Sequence, residues 1–295
     1  MKKITIGSIL MLLLILPLTA CSSDKITIGA QTYTETKILA HMYKDLIEQE
    51  TDVKVDVKED IETSPIVLEG MQSGDIDMST QYTGTAISSF TDIDDPKDSD
   101  ATLQQAKDFF GGDDFEFEVL GEIGYANTYA FTVTEDLADE NGYEKVSDLK
   151  DDAGDLKAGF DTAWLERDND GYPAFQETYG IEFGDTNPME IGLVYDAVKN
   201  GEMDVVLAYS TDPRIVEYDL KLLEDDENFF PPYDAVPMIR QDVLEDNPEI
   251  EDAIEPLLDA FDEEKIAELS GKVDNDGEEI KDVAKEYLED QGLLE

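Results

Sequence analysis

Two tyrosines recur within one repeated pattern. Gln72-Ser73-Gly74-Asp75-Ile76-Asp77 runs on to Tyr82-Thr83, and Lys199-Asn200-Gly201-Glu202-Met203-Asp204 runs on to Tyr209-Ser210. Each copy reads as a helix stop, then Gly-acidic-apolar-Asp, then four residues, then Tyr with a hydroxyl residue after it. Two further tyrosines hold unusual positions: Tyr129 in Asn127-Thr128-Tyr129-Ala130-Phe131, and Tyr233 after Phe229-Phe230-Pro231-Pro232. The face of an aromatic ring carries negative electrostatic potential. A quaternary ammonium donates no strong hydrogen bond, so it is held by cation–π attraction, about 0.5–2 kcal/mol per ring. Taken singly, each tyrosine reads as an ordinary core or surface aromatic. The repetition is what singles out Tyr82 and Tyr209.

Other chemistries find less support. The 295 residues carry 21 Lys+Arg against 73 Asp+Glu, a net charge of −52, which argues against nucleic acid because binding it needs a basic face. One cysteine and one histidine, His41, leave little for multi-Cys metal sites, most zinc sites or His-paired nucleophiles. His41 falls inside a helical pattern and reads as structural. The P-loop, dinucleotide, nucleophile-elbow and zincin signatures are all missing. An enzyme working through a chance carboxylate pair stays open as an alternative, but the expectation is a non-enzyme without cofactor. A second alternative is calcium binding at Glu166-Arg167-Asp168-Asn169-Asp170-Gly171 with Glu177, which nearly fits an EF-hand loop but starts with Glu and is interrupted by Pro173. Asp274-Asn275-Asp276-Gly277 fits worse, and Glu224-Asp225-Asp226-Glu227 reads as a solvated turn.

The elements that must position the tyrosines follow from periodicity. Ile26 and Ile28 alternate in a strand, with Thr34 a candidate cap for the helix through Ile38, Leu39, Met42, Leu46 and Ile47. Val53, Val55 and Val57 form a second strand, and Ser64-Pro65 starts a helix that stops at Gly74. This βαβα opening predicts an α/β lobe with parallel strands. Strands over Lys157–Phe160, Ile181–Phe183 and Met203–Ala208, with helices near 172–179 and 189–200, predict a second. Residues 278–291 carry an apolar stripe of Ile280, Val283, Ala284, Tyr287 and Leu288. Tyr82 and Tyr209 then stand just past the carboxyl ends of strands, the edge where open α/β sheets bind ligands. Tyr129 and Tyr233 mark the two crossings between lobes, the second stiffened by Pro231-Pro232. The expected division is 25–129 for lobe I, 130–232 for lobe II, and 233–295 returning to lobe I.

The first residues read as an address. Lys2 and Lys3 precede a largely apolar run from Ile4 to Leu18, too short for a comfortable membrane span. Leu18-Thr19-Ala20-Cys21 resembles the bacterial lipobox. This predicts a signal peptide over 1–20, lipidation of Cys21 and a short tether over 21–24, which would hold the body outside the membrane by lipid alone.

Six stretches together resemble the osmoprotectant-binding lipoproteins of ABC importers, the Opu class for glycine betaine, carnitine and choline. They are Gly29-Ala30-Gln31-Thr32-Tyr33-Thr34-Glu35, Gln81-Tyr82-Thr83-Gly84-Thr85, Asn127–Val133, Gly192–Val198, Leu207–Asp212 and Phe229–Asp234. The resemblance spans 25–295. It implies a two-lobe periplasmic-binding-protein-like fold of type II, with a cleft between lobes joined by two crossings. It implies that Tyr82, Tyr129, Tyr209 and Tyr233 form an ammonium cage, with Gln31, Thr85 and Asn127 as polar contacts. It also implies delivery of the ligand to a permease powered by an ATPase, and the expected state of the protein is a monomer. Gln31 stands where some relatives carry Lys. Arg167 offers a charge for a ligand carboxylate, but its local spacing differs. An Asp at position 85 would accept from a choline hydroxyl and repel a betaine carboxylate, whereas neutral Thr85 tolerates both, so a broad ligand range is expected.

Overall fold

The computed structural model describes residues 25–91, 93–95, 98–166 and 171–294. The signal peptide, Cys21 and its tether therefore lie outside the described residues, as do Arg167 and most of the calcium-like loop at 166–171.

Ten strands form among the described residues, in chain order: β1 (Lys25–Gln31), β2 (Lys54–Ile61), β3 (Met78–Tyr82), β4 (Phe117–Val119), β5 (Tyr129–Thr134), β6 (Lys157–Asp161), β7 (Asp185–Met189), β8 (Val205–Tyr209), β9 (Leu220–Leu222) and β10 (Ala235–Arg240). They build two five-stranded sheets, ordered β2-β1-β3-β10-β4 and β7-β6-β8-β5-β9. The sheets repeat one plan. In each, the first three strands run parallel, and the fourth is antiparallel to both its neighbours. The fourth strand of each is supplied by a crossing: the chain leaves the first sheet after β4 and enters the second through β5, then leaves after β9 and returns through β10. The expected two-lobe α/β architecture is present.

Helix α1 (Thr34–Glu50) anchors the first lobe. Ile38, Leu39, Met42, Leu46 and Ile47 fall on one face at i, i+1, i+4, i+8 and i+9, and all are buried. They pack with Ile250, Leu257, Ile266 and Leu288 from the carboxyl-terminal helices, which belong to this lobe despite their distance in sequence. The stripe on the helix Ile280–Asp290 buries Val283, Ala284 and Leu288, with Ile280 and Tyr287 packed at its edge. The second lobe has an aromatic core: Phe131, Phe160, Trp164, Phe175 and Phe183 are buried together, with Phe131 and Phe175 stacked at 4.5 Å between centroids.

Two local expectations need correction. Ile181 and Phe183 are buried but form no strand; the strand is β7, Asp185–Met189. Its polar sequence and Pro188 conceal it. It is an edge strand paired only to β6, where a missing N–H is tolerated. Thr34 does not cap α1. It is the first helical residue, after Tyr33, and its hydroxyl donates instead to Asp274 Oδ1 at 2.8 Å. His41 Nε2 lies 2.8 Å from Glu59 Oε1, an ordinary surface tie between α1 and β2. Among the described residues no helix is long and apolar enough to cross a membrane.

Candidate functional site

Both lobes present their tyrosine by the same device. Helix α2 (Ser64–Ser73) stops at Gly74 with φ 78°, and the helix Val194–Lys199 is followed by Gly201 with φ 69°, a left-handed conformation that glycine adopts without steric cost. Asp77 then exchanges two hydrogen bonds with Thr27: its N–H donates to Thr27 O at 2.8 Å, and its Oδ2 accepts from Thr27 N at 2.7 Å. Asp204 repeats this with Lys157, at 2.8 Å in both directions. The acidic end of each repeat thus pins its strand to the neighbouring parallel strand. Four residues intervene before Tyr82 and Tyr209, which close β3 and β8.

The hydroxyl residue after each tyrosine ties the strand end to a crossing. Ser210 Oγ donates to Ala126 O at 2.8 Å and accepts from Thr128 N at 3.0 Å, which fixes the first crossing beside β8. Thr83 N donates to Asp234 O at 3.0 Å, which fixes the second crossing beside β3. The crossings also pair with one another, antiparallel, through Ala126 and Asp234. Gly84 permits the closest approach. Its N–H donates to Pro232 O at 3.1 Å, and a Cβ there would stand 2.3 Å from that oxygen. Only glycine lets the Pro-Pro segment lie against the start of α3 (Thr83–Ser88), and Tyr233 follows directly.

The result is one cavity of about 300 Å³ that Tyr82, Tyr129, Tyr209 and Tyr233 all line, together with Thr85 and Asn127. Tyr129 and Tyr209 sit opposite each other in the β5–β8 ladder, their centroids 5.2 Å apart. Tyr82 is buried, and Tyr209 is 36% exposed toward the opening. Burial raises the hydroxyl pKa values of both, so the phenols stay neutral. Among the described residues the lining includes no Lys, Arg or His, and its one acid is Glu62. Gln31 is placed differently from its neighbours in the expected set. It is fully buried and does not line the cavity; its Nε2 donates to Ser64 Oγ at 3.2 Å and to Thr80 O at 3.1 Å, and Ser64 is the residue that faces the space. A larger concavity of about 580 Å³ lies between Ser210–Leu222 and the helix Glu263–Asp274, but no aromatic ring among the described residues lines it. Among the described residues no cluster of three or more His, Cys, Asp or Glu side chains is arranged to hold a metal.

Sequence reasoning missed one edge of the lining, Glu62 to Pro65, and two further members. Tyr33 also lines the cavity; it is half-exposed, with its ring edge-on to Tyr82 at 6.2 Å. Glu35, 5% exposed, accepts from Tyr82 Oη at 2.9 Å and from Asn127 Nδ2 at 2.7 Å, both on Oε1. Burial pushes its carboxyl above the usual carboxylate range, against the pull of these hydrogen bonds. An acid in the first turn of a helix reads as dipole complementation. Only the fold reveals that this one points inward.

Residues 24–290 match the family described as the substrate binding domain of ABC-type glycine betaine transport system. The chain is 38% identical to the carnitine transport binding protein OpuCC of Listeria monocytogenes, over 100% of this chain and 98% of that protein. It is 28% identical to the glycine-betaine-binding protein of Pseudomonas aeruginosa, over 92% and 90% of the two chains. The crystal structure of a glycine betaine/carnitine/choline ABC transporter superposes with a TM-score of 0.87 at 35% identity, covering 92% of this chain and 100% of that one. With the family matched along nearly the whole of the described fold, the chain belongs to the substrate-binding domains of ABC-type glycine betaine transport systems.

Proposed function

We propose that this protein captures quaternary ammonium osmolytes, namely glycine betaine, carnitine and choline, in a cage of Tyr82, Tyr129, Tyr209 and Tyr233. The observation that carries the reading is the convergence of rings from both sheets and both crossings on one cavity that, among the described residues, no basic side chain lines. A methylated cation needs ring faces rather than hydrogen-bond acceptors, and several rings at about 0.5–2 kcal/mol each supply selective affinity. Thr85 and Asn127 offer the polar contacts for the rest of the ligand, and Gln31 acts through Ser64. Lobes of 25–129 with 233–295, and 130–232, close on the ligand because rings from both then contact it, so closure is favoured only when the cage is filled. The loaded protein, a monomer tethered through lipidated Cys21 on the extracytoplasmic face, delivers its ligand unchanged to a permease driven by an ATPase.

Calorimetry of the domain from Ser22 onward against these osmolytes tests the reading. Saturable binding without turnover is expected. A protein that binds none of them, or converts one to product, is not this carrier.

A further inference from the structure

Building on that reading of the cage, we infer that Glu35 is its fixed counter-charge: a positioning residue whose buried carboxylate is completed by the ligand's own cation and tilts the site toward ligands of net positive charge. Glu35 does not line the cavity. It reaches it through Tyr82 and Asn127, which do, and one oxygen, Oε1, holds both.

The groups facing this carboxylate are named by the elements around it. Tyr33 precedes α1, Tyr82 ends β3, Tyr125 and Asn127 belong to the first crossing, and Asp274 ends the helix Glu263–Asp274. They are three phenols, an amide and a second acid, and among the described residues none of the ion pairs includes Glu35. A buried carboxylate without a cation is costly, and three hydrogen bonds, from its own backbone N–H, Tyr82 and Asn127, offset only part of that cost. A quaternary ammonium entering the cage supplies the missing charge. The geometry helps twice. Because Tyr82 donates its proton to a carboxylate, its ring face becomes more electron-rich, and Asn127 is held with its amide N–H committed. A choline-like cation feels only attraction. In a zwitterion the same charge attracts the ammonium and repels the carboxylate.

Glu35→Gln and Glu35→Asp are compared with the wild-type protein by calorimetry at pH 7, using choline and glycine betaine. In Glu35→Gln, choline should lose about fivefold or more affinity beyond the loss for glycine betaine, while Glu35→Asp keeps the wild-type ratio. Equal losses for the two ligands, or the same change of ratio in both variants, would overturn the inference and leave Glu35 a structural brace. If Glu35→Gln fails to fold, the wild-type protein decides. Somewhere between pH 4 and 7 choline binding should release protons, read as a difference in heat between buffers of unlike ionisation enthalpy, and no release anywhere in that interval overturns the inference. Wild-type protein that binds neither ligand would instead overturn the cage itself, a separate and recognisable failure.

Discussion

Tyr129 and Tyr209 face each other directly across the antiparallel pair β5–β8, their ring planes inclined at 30°. One belongs to the crossing and the other to the repeat, and the ladder register is what joins them. Their alignment presents two adjacent ring faces to one side of the cavity. Tyr209→Ala should weaken ligand binding at least tenfold, about 1.4 kcal/mol, within the range of one ring in a desolvated cage. Tyr82→Ala should do as much. Because Tyr209 is partly exposed, its loss should leave the melting temperature nearly unchanged, which separates a lost contact from a lost fold; calorimetry and thermal denaturation read the two.

Gly84→Ala tests the approach of the second crossing. The new methyl would stand 2.3 Å from Pro232 O, so the crossing must shift, and Tyr233 moves with it. Affinity should fall about tenfold although no ligand contact is removed, as expected when a contact group is displaced in a preorganised site. A crystal structure of the variant should show Pro232 displaced away from α3. Unchanged affinity would mean that the position of Tyr233 is uncritical.

Much of this was legible in the sequence because the repeat is written in residues with strict roles. Gly74 and Gly201 need the left-handed region, and Asp77 and Asp204 pin one strand to the next. Ser210 holds the first crossing through its hydroxyl. Such residues carry their reason in their type and spacing. Strand β10 was harder to see. Pro237 stands within it, although it lies between β3 and β4, and its carbonyl accepts from Leu120 N at 3.1 Å. Glu35 was invisible as a site residue because its partners, Tyr82 and Asn127, are remote in sequence. Gln31 shows the opposite limit: a motif identifies its neighbourhood, but only packing decides whether Ser64 stands between it and the cavity.

The repeated aspartates make a paired prediction about stability. Asp77 and Asp204 each accept one backbone N–H at 2.7–2.8 Å from a strand in their own lobe. Asp77→Ala should cost about 1–3 kcal/mol in urea denaturation, since it leaves a part-buried donor unpaired, and Asp204→Ala about 0.5–1.5 kcal/mol, since its bond is exposed. Asp77 also lies 3.6 Å from Arg240 Nη1, so its replacement should be the more damaging of the two. Equal losses would show that neither the burial of the Thr27 bond nor the Arg240 contact adds anything.

Thr85 lines the cavity as a neutral neighbour of the cage. Thr85→Asp should lower affinity for glycine betaine more than for choline, since the new carboxylate repels one ligand's carboxylate and accepts from the other's hydroxyl. A change of about tenfold in the ratio of the two affinities corresponds to roughly 1.4 kcal/mol. Calorimetric titrations of both ligands check it, and equal losses would place Thr85 away from the ligand's polar end.

Glu35 gives the protein a pH dependence of definite sign. Burial raises its carboxyl in the fold, so the neutral form is the one the folded state favours. A raised pKa contributes stability that is fully present below the ordinary carboxylate value of about 4.3 and is lost as pH climbs through the folded value. Glu35→Gln stays neutral throughout. The wild-type protein without ligand should therefore lose stability relative to Glu35→Gln as pH rises from about 4 toward 7. Urea midpoints measured across that interval give the difference directly, and the many other carboxylates cancel between the two proteins. Saturating choline should narrow the gap at the upper end, because its cation stabilises the ionised carboxylate that the empty cage leaves uncompensated. A gap that stays constant with pH would mean that Glu35 titrates alike in the folded and unfolded chains.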